Sequence, residues 1–385
     1  MLVERMRPHT STIFAEMSAL AVRTGAINLG QGFPDTDGPA SLLDDAAANI
    51  RAGINQYPPG VGVAELRTAV AAHQRRFYGL EVDPDAVLVT TGATEAIASA
   101  VLALCEPGDE VVTFQPYYDS YAATIALAGA VLRPVPLRPP TFGFDPDELR
   151  AAFSARTRVV LVNTPHNPTG AVFDREQLTF IGELAAEHGA VVVTDEVYEH
   201  MVYDGRAHVP MATLPGMAER TLTISSVGKT FSVTGWKVGW VHGPAELVAA
   251  VRAVKQFLTY VSGAPFQPAI ATALALPDSF YGQLAADLQR KRDLLSAGLR
   301  SAGFTVFDTA GTYFVVTDVR PLGYADGAEF CWSLPERVGV AAVPVSVFCA
   351  DPELGRPLVR FAFCKRDEVL AAAVERLVAV RAPTG

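Results

Sequence analysis

The residue with the greatest chemical potential is Lys229, which lies in the segment SVGKTF at 226–231, directly after an apolar run at 221–225. If that run is a buried strand, the amine stands at its end in surroundings of low polarity. Burial lowers the pKa of a lysine amine and makes it a nucleophile toward aldehydes. Taken alone, the segment is also compatible with a solvent-exposed loop lysine, which is the commoner case.

An aspartate stands in the same kind of place, because the apolar run at 190–193 ends in TDEVY at 194–198. Desolvating a carboxylate is costly, so Asp195 needs a partner. A protonated pyridine nitrogen would be one, and the alternative is that Asp195 caps a helix. Four acidic or imidazole side chains follow: Glu199, His200, Asp204 and His208. Their spacing matches no usual set of metal ligands, so the sequence predicts no metal site.

An asparagine-rich turn follows a third apolar run, where residues 158–162 lead into NTPHNPTG at 163–170. Proline and glycine make a rigid loop here whatever its function. An asparagine side chain held rigidly at the end of a strand is a good hydrogen-bond donor to a phenolate oxygen. The loop therefore offers an amide donor close to the carboxylate and the amine.

A glycine turn follows a fourth run, where residues 87–91 lead into GATEA at 92–96. Free backbone N–H groups and the positive end of the helix dipole at this point suit a phosphate, and Gly92 lets the anion come close. The alternative is an ordinary tight turn capped by Thr94. Ser226 and Lys237 are further candidates to close around the same phosphate.

The elements that must position these residues are short apolar runs alternating with longer amphipathic segments. The alternation predicts βαβ units around a mostly parallel sheet of about seven strands between helices, an α/β fold. Nearly continuous apolar character is typical of strands covered on both faces. The predicted strands are 87–91, 110–114, 131–135, 158–163, 190–195, 221–225 and 238–241. The predicted helices include 94–104, 175–188 and 246–260.

Both ends of the chain depart from this rhythm. Residues 1–40 give one helix pattern and a turn-rich stretch, and after residue 284 a long helix at 290–302 precedes strands at 305–307, 313–317, 340–344 and 358–363. We therefore predict a large cofactor-binding domain at 41–284. The segments 1–40 and 285–385 would together form a smaller α+β domain.

Composition and charge restrict the class of protein. The 385 residues are half hydrophobic, carry a formal net charge of −10 and show no basic cluster, which disfavours nucleic acid and anionic membranes as partners. The four cysteines form no CxxC pair, which argues against a disulfide framework and suits a reducing cytoplasm. The sequence contains no run of about 18 apolar residues, so it predicts no membrane span. We expect a cytoplasmic globular protein.

In order and spacing, the four strand ends resemble the class I and II aminotransferases of fold type I, which use pyridoxal 5′-phosphate. The matching motifs are NPTG at 167–170, TDEVY at 194–198, SxxKTFS at 226–232 and GWKVGW at 235–240. The segment NLGQGFPD at 28–35 agrees as well, and the resemblance covers nearly the whole chain. It implies an aspartate-aminotransferase-like fold.

The resemblance also implies roles for single residues. Lys229 would hold the cofactor covalently and carry a proton between the substrate Cα and the cofactor. Asp195 would pair with the ring nitrogen, Asn167 and Tyr198 would hydrogen-bond the ring oxygen, and Tyr118 would stack on the ring. The cofactor phosphate would lie against Gly92, Ala93, Thr94, Ser226 and Lys237.

Substrate recognition and assembly follow from the same resemblance. Arg360 would bind the substrate α-carboxylate through two parallel hydrogen bonds, with Asn163 and the backbone of Gly32 assisting. Tyr57, in NQYPPG at 55–60, matches the tyrosine that this family donates to the phosphate of the partner subunit. The resemblance therefore implies a homodimer with shared active sites, acting on an amino acid and a 2-oxo acid.

The substrate specificity is suggested by a departure from the aspartate-specific members, which carry an arginine in the loop before Pro265. Here the loop reads LTYVS at 258–262, without a basic residue. The runs SGAPFQP at 262–268 and FCKR at 363–366 are most similar to actinobacterial N-succinyldiaminopimelate aminotransferases, and next to kynurenine, glutamine and methionine aminotransferases. The predicted substrates are N-succinyl-LL-diaminopimelate and 2-oxoglutarate. A cysteine-conjugate β-lyase on the same fold stays an alternative.

A long substrate needs a pocket beyond its α-carboxylate. The residues predicted to line this distal pocket are apolar or aromatic: Ile13, Phe14, Tyr118, Tyr260 and Phe266. Such a wall accommodates a long stem, an aromatic ring or a thioether, and leaves a short second carboxylate unpaired. We also considered a nicotinamide dehydrogenase, but the glycines at 60–62 lack the third glycine and the preceding strand of a dinucleotide site.

Overall fold

The structure, a computed structural model, describes residues 2–10 and 12–380. Residues 1, 11 and 381–385 of the predicted terminal segments therefore lie outside it. The chain begins with a 3-10 turn at Glu4–His9, helix α1 (Ile13–Thr24) and strand β1 (Ile27–Asn28). The Thr12 hydroxyl accepts a hydrogen bond from the Ala15 N–H and starts α1, and a left-handed Gly25 ends it.

The middle of the chain alternates helices and strands, as predicted. Its elements are α2 (Ala40–Arg51), α3 (Ala64–Tyr78), β2 (Val87–Thr90), α4 (Gly92–Leu104), β3 (Glu110–Gln115), α5 (Asp119–Ala128), β4 (Val131–Arg138), β5 (Gly143–Phe144), α6 (Pro146–Ala152), β6 (Thr157–Asn163), α7 (Arg175–Glu187), β7 (Val191–Asp195), β8 (Thr221–Ser226), α8 (Val227–Thr230), β9 (Gly239–His242), α9 (Ala245–Leu258) and α10 (Phe266–Leu274). The predicted strands and helices all appear, with ends shifted by a few residues.

The large sheet has eight strands in the order β2-β9-β8-β7-β6-β3-β4-β5. The predicted seven are joined by β5, a two-residue strand antiparallel to β4 that is too short to give a sequence pattern. Strand β9 is antiparallel to both neighbours, because residues 227–238 return the chain into the sheet from the edge where β8 ends. The central strands β3, β6, β7 and β8 are parallel.

Register places the ends of the central strands side by side. Asn163, the last residue of β6, pairs with Asp195, the last residue of β7, and Asp195 pairs in turn with Ile224 of β8. Alternate residues of β6 pack on opposite faces, against the helices α4, α5 and α9 on one side and against α7 on the other. Burial on both faces explains the continuous apolar runs.

The last part of the chain forms a second sheet. Its elements are α11 (Asp278–Ser301), β10 (Thr305–Val306), β11 (Phe314–Asp318), α12 (Gly327–Val338), β12 (Val340–Ala341), β13 (Val343–Pro344), α13 (Pro352–Gly355), β14 (Leu358–Ala362) and α14 (Asp367–Leu377). The order is β10-β11-β14-β13, and β1 pairs with β12, which joins the two ends of the chain. Helix α11 begins well before the predicted 290 and crosses the predicted domain boundary at 284–285. Within residues 2–10 and 12–380, no helix is long and apolar enough to cross a membrane.

Candidate active site

One cavity of about 290 Å³ lies where the central parallel strands end. Every residue predicted to bind the cofactor or the substrate α-carboxylate, except Tyr57, lines it. Those residues are Gly32, Gly92, Ala93, Thr94, Tyr118, Asn163, Asn167, Asp195, Tyr198, Ser226, Lys229, Lys237 and Arg360. This is the position at which open α/β sheets bind their ligands.

Lys229 reaches the cavity from α8, the single helical turn after β8. Its Nζ lies 5.7 Å from the ring centroids of both Tyr198 and Tyr313. Burial lowers the pKa of this amine to about 8, although Cys364 and Asp195 act in the opposite direction. A substantial fraction of the amine is therefore neutral and nucleophilic near neutral pH.

Asp195 faces the same cavity from the end of β7. The Tyr121 hydroxyl donates a hydrogen bond of 2.6 Å to its Oδ2, and the Val197 N–H reaches Oδ1 only at 3.5 Å. Burial raises the pKa of the carboxyl, and the Tyr121 hydrogen bond opposes that rise. The carboxylate keeps free acceptor capacity and is suited to a cationic N–H partner. The sequence reasoning missed Tyr121, and the signal was its spacing of three residues from Tyr118 at the start of α5.

A candidate anion site lies where α4 begins. No side chain caps the first turn of this helix, so its N–H groups are left for a ligand. Gly92 has a φ of +73°, and a Cβ at this position would lie 3.1 Å from Lys237 Nζ. Lys237 is itself in the left-handed region at φ +53°, a conformation that non-glycine residues adopt at a cost. The helix terminus and the ammonium group thus converge.

The asparagine loop is held by its own side chains. Asn163 Nδ2 donates to the Asp195 carbonyl at 2.8 Å, and Asn163 Oδ1 accepts from the Asn167 N–H at 2.7 Å. Both polar atoms of Asn163 are therefore engaged by backbone, which ties β6, β7 and the loop together. Asn167 Oδ1 accepts from Arg360 Nη1 at 2.8 Å, which leaves its Nδ2 as a donor.

Arg360 is a buried cation with no carboxylate partner in the described part of the chain. Its side chain is 1% exposed, Nη2 donates to the Gly30 carbonyl at 2.9 Å, and Nε has no partner among the described residues. The guanidinium lies 3.9 Å from the ring centroid of Phe314. Burial lowers its pKa to about 10, so it stays charged at neutral pH. An uncompensated buried charge is costly, and a bound carboxylate would balance it.

Two tyrosines complete the wall beside the amine. Burial raises the pKa of Tyr198 well above its usual value, so its phenol stays protonated as a donor. Tyr313, which the sequence reasoning missed, lies edge-on to Tyr198 at 5.3 Å and donates a 2.6 Å hydrogen bond to the Gly32 carbonyl. This bond connects the glycine turn after β1 to β11 and sets the position of Gly32 at the cavity.

Three predicted residues lie elsewhere. Tyr57 is 84% exposed and packs edge-on against Tyr260 at 5.8 Å, outside the cavity of its own chain. The distal-pocket prediction is wrong for Tyr260 and Phe266 within one chain. Phe266 stacks on Trp236 at 4.5 Å, and the carbonyl of Tyr260 accepts a hydrogen bond from Lys255. Their aromatic character serves packing, which spacing alone does not distinguish from a pocket wall.

The rest of the predicted distal pocket is present. Ile13, Phe14 and Tyr118 line an adjoining cavity of about 690 Å³ between α1, α5 and the segment 347–349. Phe14 and Tyr118 also line the cavity that holds Lys229, so the two spaces share a wall. A ligand bound at Arg360 has room to extend toward the N-terminal helix.

The chain shares these features with known proteins. Residues 24–377 match the family described as aminotransferase class I and II. The chain is 56% identical to the probable N-succinyldiaminopimelate aminotransferase DapC of Mycobacterium tuberculosis, over 98% of each chain. It is 43% identical to the methionine aminotransferase of Escherichia coli, over 95% of each.

Solved structures give the same relationship. The N-succinyldiaminopimelate aminotransferase structure from Mycobacterium tuberculosis superposes with a TM-score of 0.96 at 56% identity, covering 99% of this chain and all of that one. The fold implied by the sequence motifs is thereby confirmed.

Proposed function

This chain belongs to the class I and II aminotransferases, enzymes that use pyridoxal 5′-phosphate, and we propose that it moves the amino group of N-succinyl-LL-diaminopimelate to 2-oxoglutarate. The transfer of an amino group between an amino acid and a 2-oxo acid follows from family membership. The choice of substrate is supported by the similarity to the mycobacterial enzyme over almost the full chain.

The residues of the cavity fit the cofactor. The uncapped start of α4, with Lys237 beside Gly92, provides an anion site for the phosphate, and Asp195 offers a buried carboxylate to the ring nitrogen. Lys229, which reacts as its neutral amine, would hold the cofactor covalently. Asn167 Nδ2 and the Tyr198 phenol would donate hydrogen bonds to the ring oxygen. When bound, pyridoxal 5′-phosphate supplies the electron sink that makes the Cα–H bond of an amino acid acidic.

The chain's own groups then handle protons and charge. Lys229, with a pKa of about 8, is matched to take the proton from the substrate Cα and would deliver it to a carbon atom of the bound cofactor. Asp195 would keep a proton on the ring nitrogen, and the Tyr121 hydrogen bond positions that carboxylate. The phenol of Tyr198, which stays protonated, would hold the ring oxygen from one side.

The observation that carries the proposal is Arg360, a buried guanidinium that faces Lys229 across the cavity and has no carboxylate partner within the described residues. An α-amino acid or a 2-oxo acid supplies the missing carboxylate and places its Cα toward the amine. Two parallel N–H···O bonds fix that orientation. Asn163, whose side chain is engaged by backbone, would assist by positioning Asn167.

The adjoining cavity favours a long substrate. A side chain that leaves the Arg360 site between Phe14 and Tyr118 enters a space of about 690 Å³, far larger than the side chain of aspartate needs. The neutral loop at 258–262 offers no cation for a short second carboxylate. Methionine and kynurenine are competing substrates with side chains of similar length. Methionine is the second candidate, because the chain is similar to a methionine aminotransferase.

The proposal includes the assembly and the compartment. The exposed Tyr57 would enter the phosphate site of a partner subunit, giving a homodimer with shared sites in the cytoplasm. Exposure of Phe257 and Leu258 near the same surface supports an interface there.

The substrate assignment is tested by kcat/KM for N-succinyl-LL-diaminopimelate, kynurenine, methionine and aspartate, each with 2-oxoglutarate. The succinylated substrate should exceed the others by at least about tenfold, the difference that 1.4 kcal/mol gives. A preference for aspartate would refute the pocket argument, and a preference for kynurenine or methionine would refute only the choice of substrate.

A further inference from the structure

A second group of ionisable side chains lies away from the cavity, between α3 and the segment after β7. His73 of α3 meets Glu199 and His200, and one ligand atom from each lies within 4.8 Å of the others. The two other candidates named from the sequence are paired elsewhere. Asp204 bonds Arg292 at 2.6 Å, and His208 bonds Glu196 at 2.7 Å.

Glu199 is a buried acid without a cation. Its side chain is 5% exposed, and Oε1 accepts a 2.8 Å hydrogen bond from the Ser225 hydroxyl. Oε2 has no partner, and no Lys, Arg or His nitrogen of the described residues lies within 4.0 Å of the carboxylate. A buried carboxylate that keeps its charge calls for a positive partner.

The two histidines lie beside this carboxylate and face each other. Their Nε2 atoms are 2.7 Å apart, so at most one proton lies between them and at least one of the two nitrogens offers a lone pair to a Lewis acid. Neutral imidazoles and a carboxylate are the donors that zinc-type ions prefer.

We propose that His73, Glu199 and His200 form a binding site for one divalent transition-metal ion of the Zn²⁺ class. Two imidazoles and one carboxylate are three ligands of a tetrahedral site, and the partly exposed His200 leaves a side open for a water ligand and for entry of the ion. Bonds of roughly 2.0–2.1 Å place ligand atoms about 3.3 Å apart. The side chains therefore need to move by about an ångström or less.

The surroundings suit such an ion. The Ser225 hydroxyl orients the carboxylate, and the amide of Gln74 lies 3.5 Å from His73 Nδ1 while its Oε1 lacks a partner. Rotating that amide would give the Nδ1–H of a ligating His73 an acceptor, the usual arrangement around metal-bound histidine. The ring of Tyr281 covers His200 at a centroid distance of 4.3 Å.

The ion would act as a brace. It would join α3 to the segment that carries Asp195 and Tyr198, four residues and one residue before Glu199. Its effect is therefore expected on the stability of the holoenzyme, and the amino-transfer chemistry does not depend on it.

The test uses holoenzyme treated with a chelator, dialysed, and titrated with Co²⁺ while visible absorption, metal content and Tm are recorded. We expect one Co²⁺ per chain, the intense visible bands of a tetrahedral site, and a rise in Tm with both Co²⁺ and Zn²⁺. Mg²⁺, which prefers six oxygen ligands, should have no effect.

Matched variants locate the ion. Glu199→Gln keeps the size of the side chain and removes its charge, and His200→Gln removes a partly exposed ligand, so both should abolish the bands and the rise in Tm. His188→Gln, at the end of α7 where the ring packs on Phe153, should retain both. Retained cofactor absorption identifies folded variants. Absence of the bands in wild type, or their persistence in Glu199→Gln, would overturn the proposal.

Discussion

Lys229 and Arg360 are two basic side chains that line one cavity, and desolvation lowers the pKa of each. The shift leaves them in different states at neutral pH. Arg360, with a pKa of about 10, stays a cation that needs an anion, whereas Lys229, with a pKa of about 8, is partly neutral and can act as nucleophile and base. One side chain is thus suited to bind a carboxylate and the other to react.

The lowered pKa of Lys229 predicts the pH dependence of cofactor uptake by the apoenzyme. The amine reacts when neutral, so the rate should rise with pH through about 8 and then level off, because the folded pKa lies below the ordinary value near 10.4. Stopped-flow absorbance measures this rate, and Nα-acetyl-lysine, which has a free ε-amine in water, is the control. A rate that keeps rising to pH 10 would disprove the assignment.

The variant Lys229→Ala tests the same residue by a second route. It should take up no cofactor that borohydride reduction can attach covalently to the protein.

Truncation of Arg360 is predicted to weaken every amino acid alike. Loss of a buried charge-assisted pair costs about 2–5 kcal/mol, so Arg360→Ala should lower kcat/KM by about 30-fold or more for each substrate. Arg356→Ala is the control, since this arginine is half exposed and pairs with Glu353 on the surface. A loss of kcat/KM confined to one amino acid would show that Arg360 binds the side chain of that substrate and not the α-carboxylate.

The sequence predicted the place of residues that stand where a strand ends, and these residues line the cavity, while their chemical roles stay predictions. Lys229, Asp195 and Asn167 each follow an apolar run, and the run itself reports the burial that makes them reactive. Tyr121 and Tyr313 were missed because their roles rest on contacts with Asp195 and Gly32, which are distant in sequence. No local pattern distinguishes Tyr313 from a core tyrosine, and the local signal for Tyr121 is only its spacing of three residues from Tyr118.

The start of α4 is the element whose backbone would provide the proposed anion site. Its N–H groups are free because Thr91 provides no side-chain cap, and Gly92 turns the chain through a left-handed conformation. Gly239 of β9 lets the turn pack closely, since a Cβ there would lie 2.7 Å from the Gly92 carbonyl carbon. Two glycines therefore fix the position of the helix terminus relative to the sheet.

An alanine at position 92 should disturb this arrangement. A non-glycine residue at φ +73° costs about 1–2 kcal/mol, and its Cβ crowds Lys237 Nζ, so Gly92→Ala should bind pyridoxal 5′-phosphate about tenfold more weakly. Gly282→Ala is the control. It lies in the exposed face of α11 with open space around it, and should raise Tm without changing cofactor affinity. Unchanged affinity in Gly92→Ala would mean that the phosphate binds elsewhere.

Elements with strong apolar patterns were predictable and short ones were not. The seven predicted strands of the large sheet are present, each at least four residues long, and all except β4 are mostly buried. The two-residue strand β5 and the antiparallel direction of β9 depend on pairing with β4 and on the short connection at 227–238, neither of which leaves a pattern in the sequence.

On the scale of the whole molecule, the two ends of the chain meet through the pairing of β1 with β12 and frame the cavity. Gly32 reaches the site from one end and Arg360 from the other. Tyr57 is the one residue predicted to bind the cofactor that does not line the cavity of its own chain, and it is 84% exposed. In a dimer, this phenol would contact the phosphate site of the second copy of the chain.

Mixed dimers test the shared site. In a heterodimer of Tyr57→Phe and Lys229→Ala, donation of Tyr57 across the interface leaves one site with both residues intact. The purified heterodimer should then show about half of the wild-type activity, well above either homodimer. Activity no greater than half that of the Tyr57→Phe homodimer would place Tyr57 in the site of its own chain.

The most direct measurement is the half-reaction, in which holoenzyme is mixed with N-succinyl-LL-diaminopimelate alone and the cofactor spectrum is followed. An aminotransferase should convert its cofactor stoichiometrically to the pyridoxamine form, and 2-oxoglutarate should then restore the original spectrum. The same experiment with a cysteine conjugate separates transfer from β-elimination on this fold. Consumption of the amino acid without the pyridoxamine form, or a spectrum that does not change, would contradict the account.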